Sequence, residues 1–404
     1  MMNQTGYIVY FYVCVIICLR LSCIYGNPSA EKHDVKTILV FGGNGFIGSA
    51  TVEKLLRGNY SVVVINRGNW YWDTEETVKP FVKHVKCDRM QSLQRCAGLQ
   101  HYIWSLEAPP LFEAVIDFSA YHAFEISEAL TILKDKIKKY IYISSDSVYE
   151  VCEKHHHGLT REEDAVRPTE TAERNIFKQK DDYGNSKLEC EEELEKQATS
   201  GTGIPYISLR LPDVVGPRDN TYRWWIYQLW IRLADFTDKR LAVPKYLWNQ
   251  PMSLVYVYDV ADVISDCITS GEDIYNNAYN LALTETPTLV QLLHGVMNSL
   301  EVEDVDIIEN SEEEGFHLFP SVKLGPLDTT KARRLLNWNP TSWIDVLDHT
   351  VHFYEEAILE KKFDVARKDV IRTIQQYFSH DSAKIMRGLK HEYGLTFDSA
   401  HDEL

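Results

Sequence analysis

The chain has 404 residues, 45% of them hydrophobic and 25% charged, which suits a globular protein with a sizeable core in one large or two interleaved domains. Fifty-nine acidic residues against 42 basic ones give a formal net charge of −17, the wrong sign for a general phosphate-backbone binder, so nucleic acid is not an expected partner. Three of the cysteines lie near the N-terminus; the body keeps Cys87, Cys96, Cys152, Cys190 and Cys267, an odd number without metal-clamp spacing, so at least one is free or intermolecular.

In chain order, the first feature is an uncharged apolar run, YIVYFYVCVIICL at 7–19, the length of a signal-peptide core and short of a relaxed membrane span. Residues 1–26 are expected to form this export segment. No Lys or Arg precedes the run, which leaves an uncleaved anchor open; only then would the chain engage a membrane. The last residues, His401, Asp402, Glu403 and Leu404, spell the HDEL retention signal, which is read only in the endoplasmic reticulum lumen. The two signals together predict a lumenal body. Asn59-Tyr60-Ser61 is its sequon, while Asn339 is followed by Pro340 and is excluded.

Short β-rich runs alternating with helical patterns predict an α/β fold with a parallel sheet covered on both faces. Strands are predicted at 37–41, 62–65, 82–85, 114–118, 140–144 and 205–211, with later ones at 252–258 and 278–281. The acidic stretch 309–315 reads as a solvated loop, and the tail beyond 360 as helical.

The first predicted strand runs into TILVFGGNGFIG, with Gly42, Gly45 and Gly48 at three-residue intervals, Gly43 completing a GxGxxG, and Phe46 and Ile47 leading into a helix at 49–56. Such glycines allow a tight turn and close approach to a pyrophosphate, at which the helix aims its N-terminal N–H groups. A dinucleotide fold that uses NAD usually ends its second strand in Asp or Glu, whereas a nearby Arg accommodates a 2′-phosphate. Here VVVINRGN places Asn66 and Arg67 there, with no acid between 62 and 69. NADP(H) is therefore expected; the alternative is NAD held by Asn66 with Arg67 in solvent. Asp88, after the third strand, is a candidate for the adenine edge or a plain surface acid.

In DDYGNSKLECEEELEK, Tyr183 and Lys187 are four residues apart and share one helix face. An ammonium beside a phenol lowers its pKa from about 10 toward working pH, making Tyr183 a candidate proton donor or acceptor at a carbon undergoing hydride transfer. Ser145, in ISSDSVY at the end of the fifth strand, stands where an open α/β sheet presents its site.

These motifs, with LRLPDVVGPRD, VYVYDVAD and LLNWNPTSW in the same order, resemble the extended short-chain dehydrogenases, the NAD-dependent epimerase/dehydratase type, over 35–356. The INRGN after the second strand is similar to a subgroup whose members often have no assigned substrate. The resemblance implies a Rossmann-type doubly wound sheet at 35–210, a smaller C-terminal α/β substrate domain mainly within 211–356, interleaved with late Rossmann elements, and a helical tail at 357–404. It implies Tyr183 and Lys187 as the catalytic pair, Ser145 as their hydroxyl partner, and Lys187 as a contact to the nicotinamide ribose. Many relatives act on nucleotide sugars, so the expected partner is a small-molecule substrate of that kind; a homodimer is compatible with this. A reductase of a lipid, steroid or other small carbonyl and a catalytically silent cofactor-binding scaffold are the alternatives.

Two departures matter. Ser147 stands where dehydratases of the family have an acid, leaving Asp146 as the candidate acid, and Asp213 stands where sugar enzymes often have Asn. Arg218, Arg223 and Arg232 are candidates to offset that charge toward a substrate diphosphate, or else solvated helix charges. His155, His156 and His157 read as a solvated loop rather than a metal site. Trp224, Trp225 and Trp230 have the spacing of a packed helix, with stacking on a base or sugar as the alternative, and Trp70, Tyr71 and Trp72 leave the same choice open.

Overall fold

The computed structural model describes residues 35–106, 111–200, 203–237, 240–303, 305–310, 318–319, 325–377 and 382–395, so the export run and HDEL lie outside the described residues. The opening strands are runs of β-branched residues between turn formers, and they pair as such. β1 (Thr37–Phe41), β2 (Ser61–Asn66), β3 (Lys83–Lys86), β4 (Ala114–Asp117), β5 (Tyr140–Ser145), β6 (Tyr206–Leu211) and β10 (Asn277–Asn280) form one parallel sheet, order β10-β6-β5-β4-β1-β2-β3. This is the doubly wound parallel sheet expected from the alternating strand and helix patterns and from the family resemblance.

The strands are buried on both faces, and side chains alternate between two cores. Ile38, Val40, Val62, Val64, Ile116 and Ile141 face one way, against Val260, Ile264 and Ile268 of α8 (Val257–Thr269). Leu39, Phe41, Val63, Ile65, Val115, Tyr140 and Tyr142 face the other, against Ile126, Leu130 and Leu133 of α4 (Ala123–Leu133) and Cys190 and Leu194 of α6 (Asp182–Ala198). Burying each large aliphatic side chain stabilises the fold by about 1.5–3 kcal/mol. β1 lies between β2 and β4, so crossovers leave it in opposite directions and open a crevice at the C-terminal strand ends.

The strand expected at 252–258 is shorter. β9 covers Leu254–Tyr256, and Val257 begins α8, whose buried Val257, Val260, Ala261 and Ile264 follow helical spacing. Three strands were not predicted: β7 (Asp213–Val215), paired with β9, and β8 (Leu241–Pro244), paired with β11 (Ile307–Asn310). Each is too short to show an alternation. Glu309 thus belongs to a strand rather than to the expected loop.

The third core surrounds α7 (Arg223–Arg232), buried from Trp224 to Ile231. Trp224, Trp225 and Trp230 are core residues, and Trp225 stacks on Tyr354 and on Trp72. The tail forms α12 (Asp364–Tyr377) and α13 (Ser382–Tyr393), which close this core with Val370, Ile374, Ile385 and Leu389. Among the described residues no helix is long and apolar enough to cross a membrane.

Candidate active site

A cleft of about 990 Å³ runs along the C-terminal strand ends from the glycine turn to the start of α7. At one end, Gly45 caps α1 (Phe46–Arg57), and Gly42, Gly45, Phe46, Ile47 and Gly48 line the wall. A Cβ on Gly48 would stand 2.3 Å from the carbonyl oxygen of Gly42, so no larger residue fits this turn. Gly43 turns inward instead, toward Val40, Val52 and Val64, and packs the helix against the sheet.

Beyond the turn, Asn66 is 8% exposed and lines the cleft. Its Oδ1 accepts from Gly68 N at 2.7 Å and faces His84 Nε2 at 2.9 Å. Because a backbone N–H only donates, the amide orientation is fixed and Nδ2 is left buried without a partner, toward an acceptor the protein does not supply. Arg67 is exposed beside it. Asp88 also lines the cleft, but both its oxygens cap the following turn, accepting from Met90 N at 3.2 Å and Gln91 Nε2 at 3.2 Å. The glycine cradle and the orphaned amide fit a dinucleotide. Gly42, Gly45, Gly48, Asn66 and Arg67 would hold it, and its nicotinamide would supply the hydride acceptor or donor.

At the middle of the cleft, β5 ends in Ser145 and α6 begins with Asp182, capped by Asp181, which accepts from Gly184 N at 2.7 Å. A Cβ on Gly184 would lie 2.2 Å from the Ser147 carbonyl oxygen; this close approach brings α6 up to the strand end and sets Tyr183 opposite Ser145. Tyr183 is 44% exposed and lines the cleft with Ser145 and Lys187. The Lys187 ammonium donates to the carbonyls of Ile143 at 2.9 Å and Ala120 at 3.0 Å, and lies 5.9 Å from the Tyr183 ring centre. Burial pulls its pKa down to about 8.

One expectation is corrected here. The surroundings of Tyr183 raise its phenol rather than lower it. Lost hydration, then the neighbouring Tyr121 and the acids Asp146 and Asp181, push that phenol above its ordinary value, while a hydrogen bond with Ser145 pulls the other way. Tyr183 is therefore a neutral phenol, poised to donate a proton to a carbonyl oxygen. Accepting one back requires further positive charge in the cleft.

The far end is acidic. Asp146, 7% exposed, accepts from Ser145 Oγ at 3.3 Å; burial and then Asp213 push its carboxyl well up. Asp213 is pushed up to about 7 by burial, opposed by Arg223, whose Nη1 lies 3.0 Å from Asp213 Oδ1. Asp219, Asn220 and Thr221 complete this end.

Of the three candidate arginines, Arg218 and Arg232 do not line this end, and each is held in an ion pair rather than left as a solvated charge. Arg218 is held by Glu53 of α1 and by Asp73, both at 2.8 Å, so it clamps the loop after β7 to the first helix. Arg232 pairs with Glu355 at 2.8 Å on the other side of α7. His156 pairs with Asp164 at 2.9 Å, and no metal-holding group occurs among the described residues. Sequence reading missed Arg89, which lines the cleft yet is buried and locked to Asp117 at 2.7 Å and Glu125 at 3.2 Å. It also missed Tyr121, at 50% exposure beside Tyr183.

Residues 38–282 match the model of the NAD dependent epimerase/dehydratase family. The chain belongs to this family. It is thereby an extended short-chain dehydrogenase/reductase, the enzyme class its motifs resemble. Its fold is similar to UDP-glucose 4-epimerase of Thermotoga maritima, solved with UDP-glucose, at 23% identity and TM-score 0.59 over 80% of this chain and 99% of that one. It is also similar to dTDP-glucose 4,6-dehydratase of Bacillus anthracis, solved with NAD, at 20% identity and TM-score 0.61 over 80% and 98%. UDP-glucuronic acid 4-epimerase of Bacillus cereus, solved with UDP-glucuronic acid and NAD, shares 18% identity at TM-score 0.59 over 79% and 99%. A comparison with curated protein sequences finds no match.

Proposed function

We propose that this chain catalyses NAD(P)-dependent hydride transfer at a carbinol or carbonyl carbon of a sugar-like substrate, as an epimerase or reductase of the endoplasmic reticulum lumen. The observation that carries the chemistry is the convergence of Ser145, Tyr183 and Lys187 in one cleft with the glycine turn. Tyr183 donates the proton that balances hydride addition, Ser145 orients the same oxygen, and Lys187 holds the strand end and the loop at Ala120 together. An intact set of this kind weighs against a silent scaffold.

The missing acid after β2 and the exposed Arg67 support NADP(H) over NAD, since Arg67 presents donors to a phosphate and no carboxylate there accepts from a ribose hydroxyl. The neighbours named for UDP-glucose and UDP-glucuronic acid support a nucleotide sugar. A second reading, a reductase of a small hydroxylated or carbonyl compound without a nucleotide, is favoured by the acids at the far end of the cleft. The export run and HDEL support the lumen.

The test is to identify the nucleotide that co-purifies with the body, by mass spectrometry, and to compare turnover of the unmodified protein with Tyr183→Phe. The variant should keep the cofactor and lose about 100-fold in rate. Turnover at the unmodified rate would remove Tyr183 from the chemistry.

A further inference from the structure

Resting on the hydride-transfer reading, we infer that the substrate half of the cleft takes a carbinol bearing hydroxyl or amino groups and no diphosphate, and that Asp213 sets this specificity. Asp146, Asp213 and Asp219 line this end together. Their placement follows from the sheet: Asp146 continues β5 directly after Ser145, and Asp213 opens β7 two residues beyond β6. Both therefore stand at the strand ends where Tyr183 meets its substrate.

The cations of the cleft are committed elsewhere. Arg89 is bound by Asp117 at 2.7 Å and Glu125 at 3.2 Å, and Lys187 by the carbonyls of Ile143 and Ala120. Arg223 faces Asp213 at 3.0 Å. Arg67 remains, but beside the glycine turn, among the residues that would hold the dinucleotide. A diphosphate seated at this end would meet three buried carboxyl groups with Arg223, already paired with Asp213, as its counter-charge; Asp213, pushed up to about 7, would have to give up its remaining negative charge, since like charges in contact are disfavoured. Asp219 already accepts from the Thr221 N–H and hydroxyl, so it is Asp146 and Asp213 whose oxygens would accept from O–H or N–H groups, which a polyol or an amino polyol supplies.

The experiment uses the full body loaded with NADP⁺. UDP is titrated against the unmodified protein, Asp213→Asn and Asp146→Asn, with bound dinucleotide and the melting temperature recorded for each. The unmodified protein should hold UDP no tighter than millimolar, and Asp213→Asn should tighten it tenfold or more; if that variant does not fold, Asp146→Asn should gain in the same direction. Cofactor reduction with free polyols and with amino polyols then separates hydroxyl from ammonium recognition. Micromolar UDP binding by the unmodified protein, or no gain in either folded variant, overturns the inference. A protein that binds no dinucleotide would instead sink the hydride-transfer reading, so the two failures are distinct.

Discussion

Asp213 carries a measurable consequence beyond specificity. Its folded-state pKa of about 7 lies above the ordinary 3.8. The unfolded chain therefore releases this proton at lower pH than the folded one. The destabilisation is absent below about pH 4, grows as pH rises toward 7 and is constant above it. Asp213→Asn should raise stability at pH 8 on the order of 4 kcal/mol and change little near pH 4. Thermal melts at both pH values check this, and an equal shift at both would show that packing, not charge, is responsible. At the other end of the cleft, Arg67→Ala should weaken NADPH by about 1.5–3 kcal/mol, the worth of a hydrogen bond to a charged group, while hardly affecting NADH; equal binding of both cofactors by the unmodified protein would contradict it. The glycines, Tyr183, Lys187 and Ser145 were legible because their signals are local. The Arg89–Asp117 pair, 28 residues apart, joins two strand ends that only the fold brings together, and the raised phenol of Tyr183 comes from burial first and then from Tyr121 and Asp146 of other segments.

Among the elements, the segment between β3 and α3 (Ala97–Trp104) shows how the cleft wall is held. Cys87 directly follows the strand, Cys96 caps the helix, and a disulfide joins them across Asp88, Arg89 and Met90, all of which line the cleft. Closing so short a loop removes about 2–3 kcal/mol of unfolded-chain entropy. Cys87→Ser, or reduction of the unmodified protein, should lower the melting temperature and weaken dinucleotide binding several-fold. If mass spectrometry shows both thiols free while affinity is unchanged, the bridge does not support the wall. The odd cysteine count allowed such a pair without naming it, since spacing alone does not choose partners. Long strands were similarly legible from β-branched runs, whereas β7, β8 and β11 were not, because three or four residues carry no period.

At the scale of the whole molecule, the tail is structural. Val370, Ile371, Ile374, Ile385 and Leu389 are at most 2% exposed, and Tyr393 donates to Glu355 at 2.8 Å, the same carboxylate that holds Arg232. Removing residues 364–404 should uncover α7 and cost roughly 5–10 kcal/mol by area of this kind. The expected result is an insoluble body or one melting at least 10 °C lower, roughly the shift such a loss implies; a truncated protein that melts normally would show the tail to be dispensable.

The strand order has a kinetic side as well. β6 is buried on both faces, yet its outer neighbour is β10, whose residues follow α7, α8 and three further short strands. From Leu211 to Asn277, a chain emerging at about 5–20 residues per second leaves that hydrogen-bonding edge uncovered for several seconds. An open edge of this kind recruits other strands. Biosynthesis, more than catalysis, is thus the stage at which this fold is vulnerable to aggregation, and a folding helper that covers β6 until β10 arrives would improve its yield.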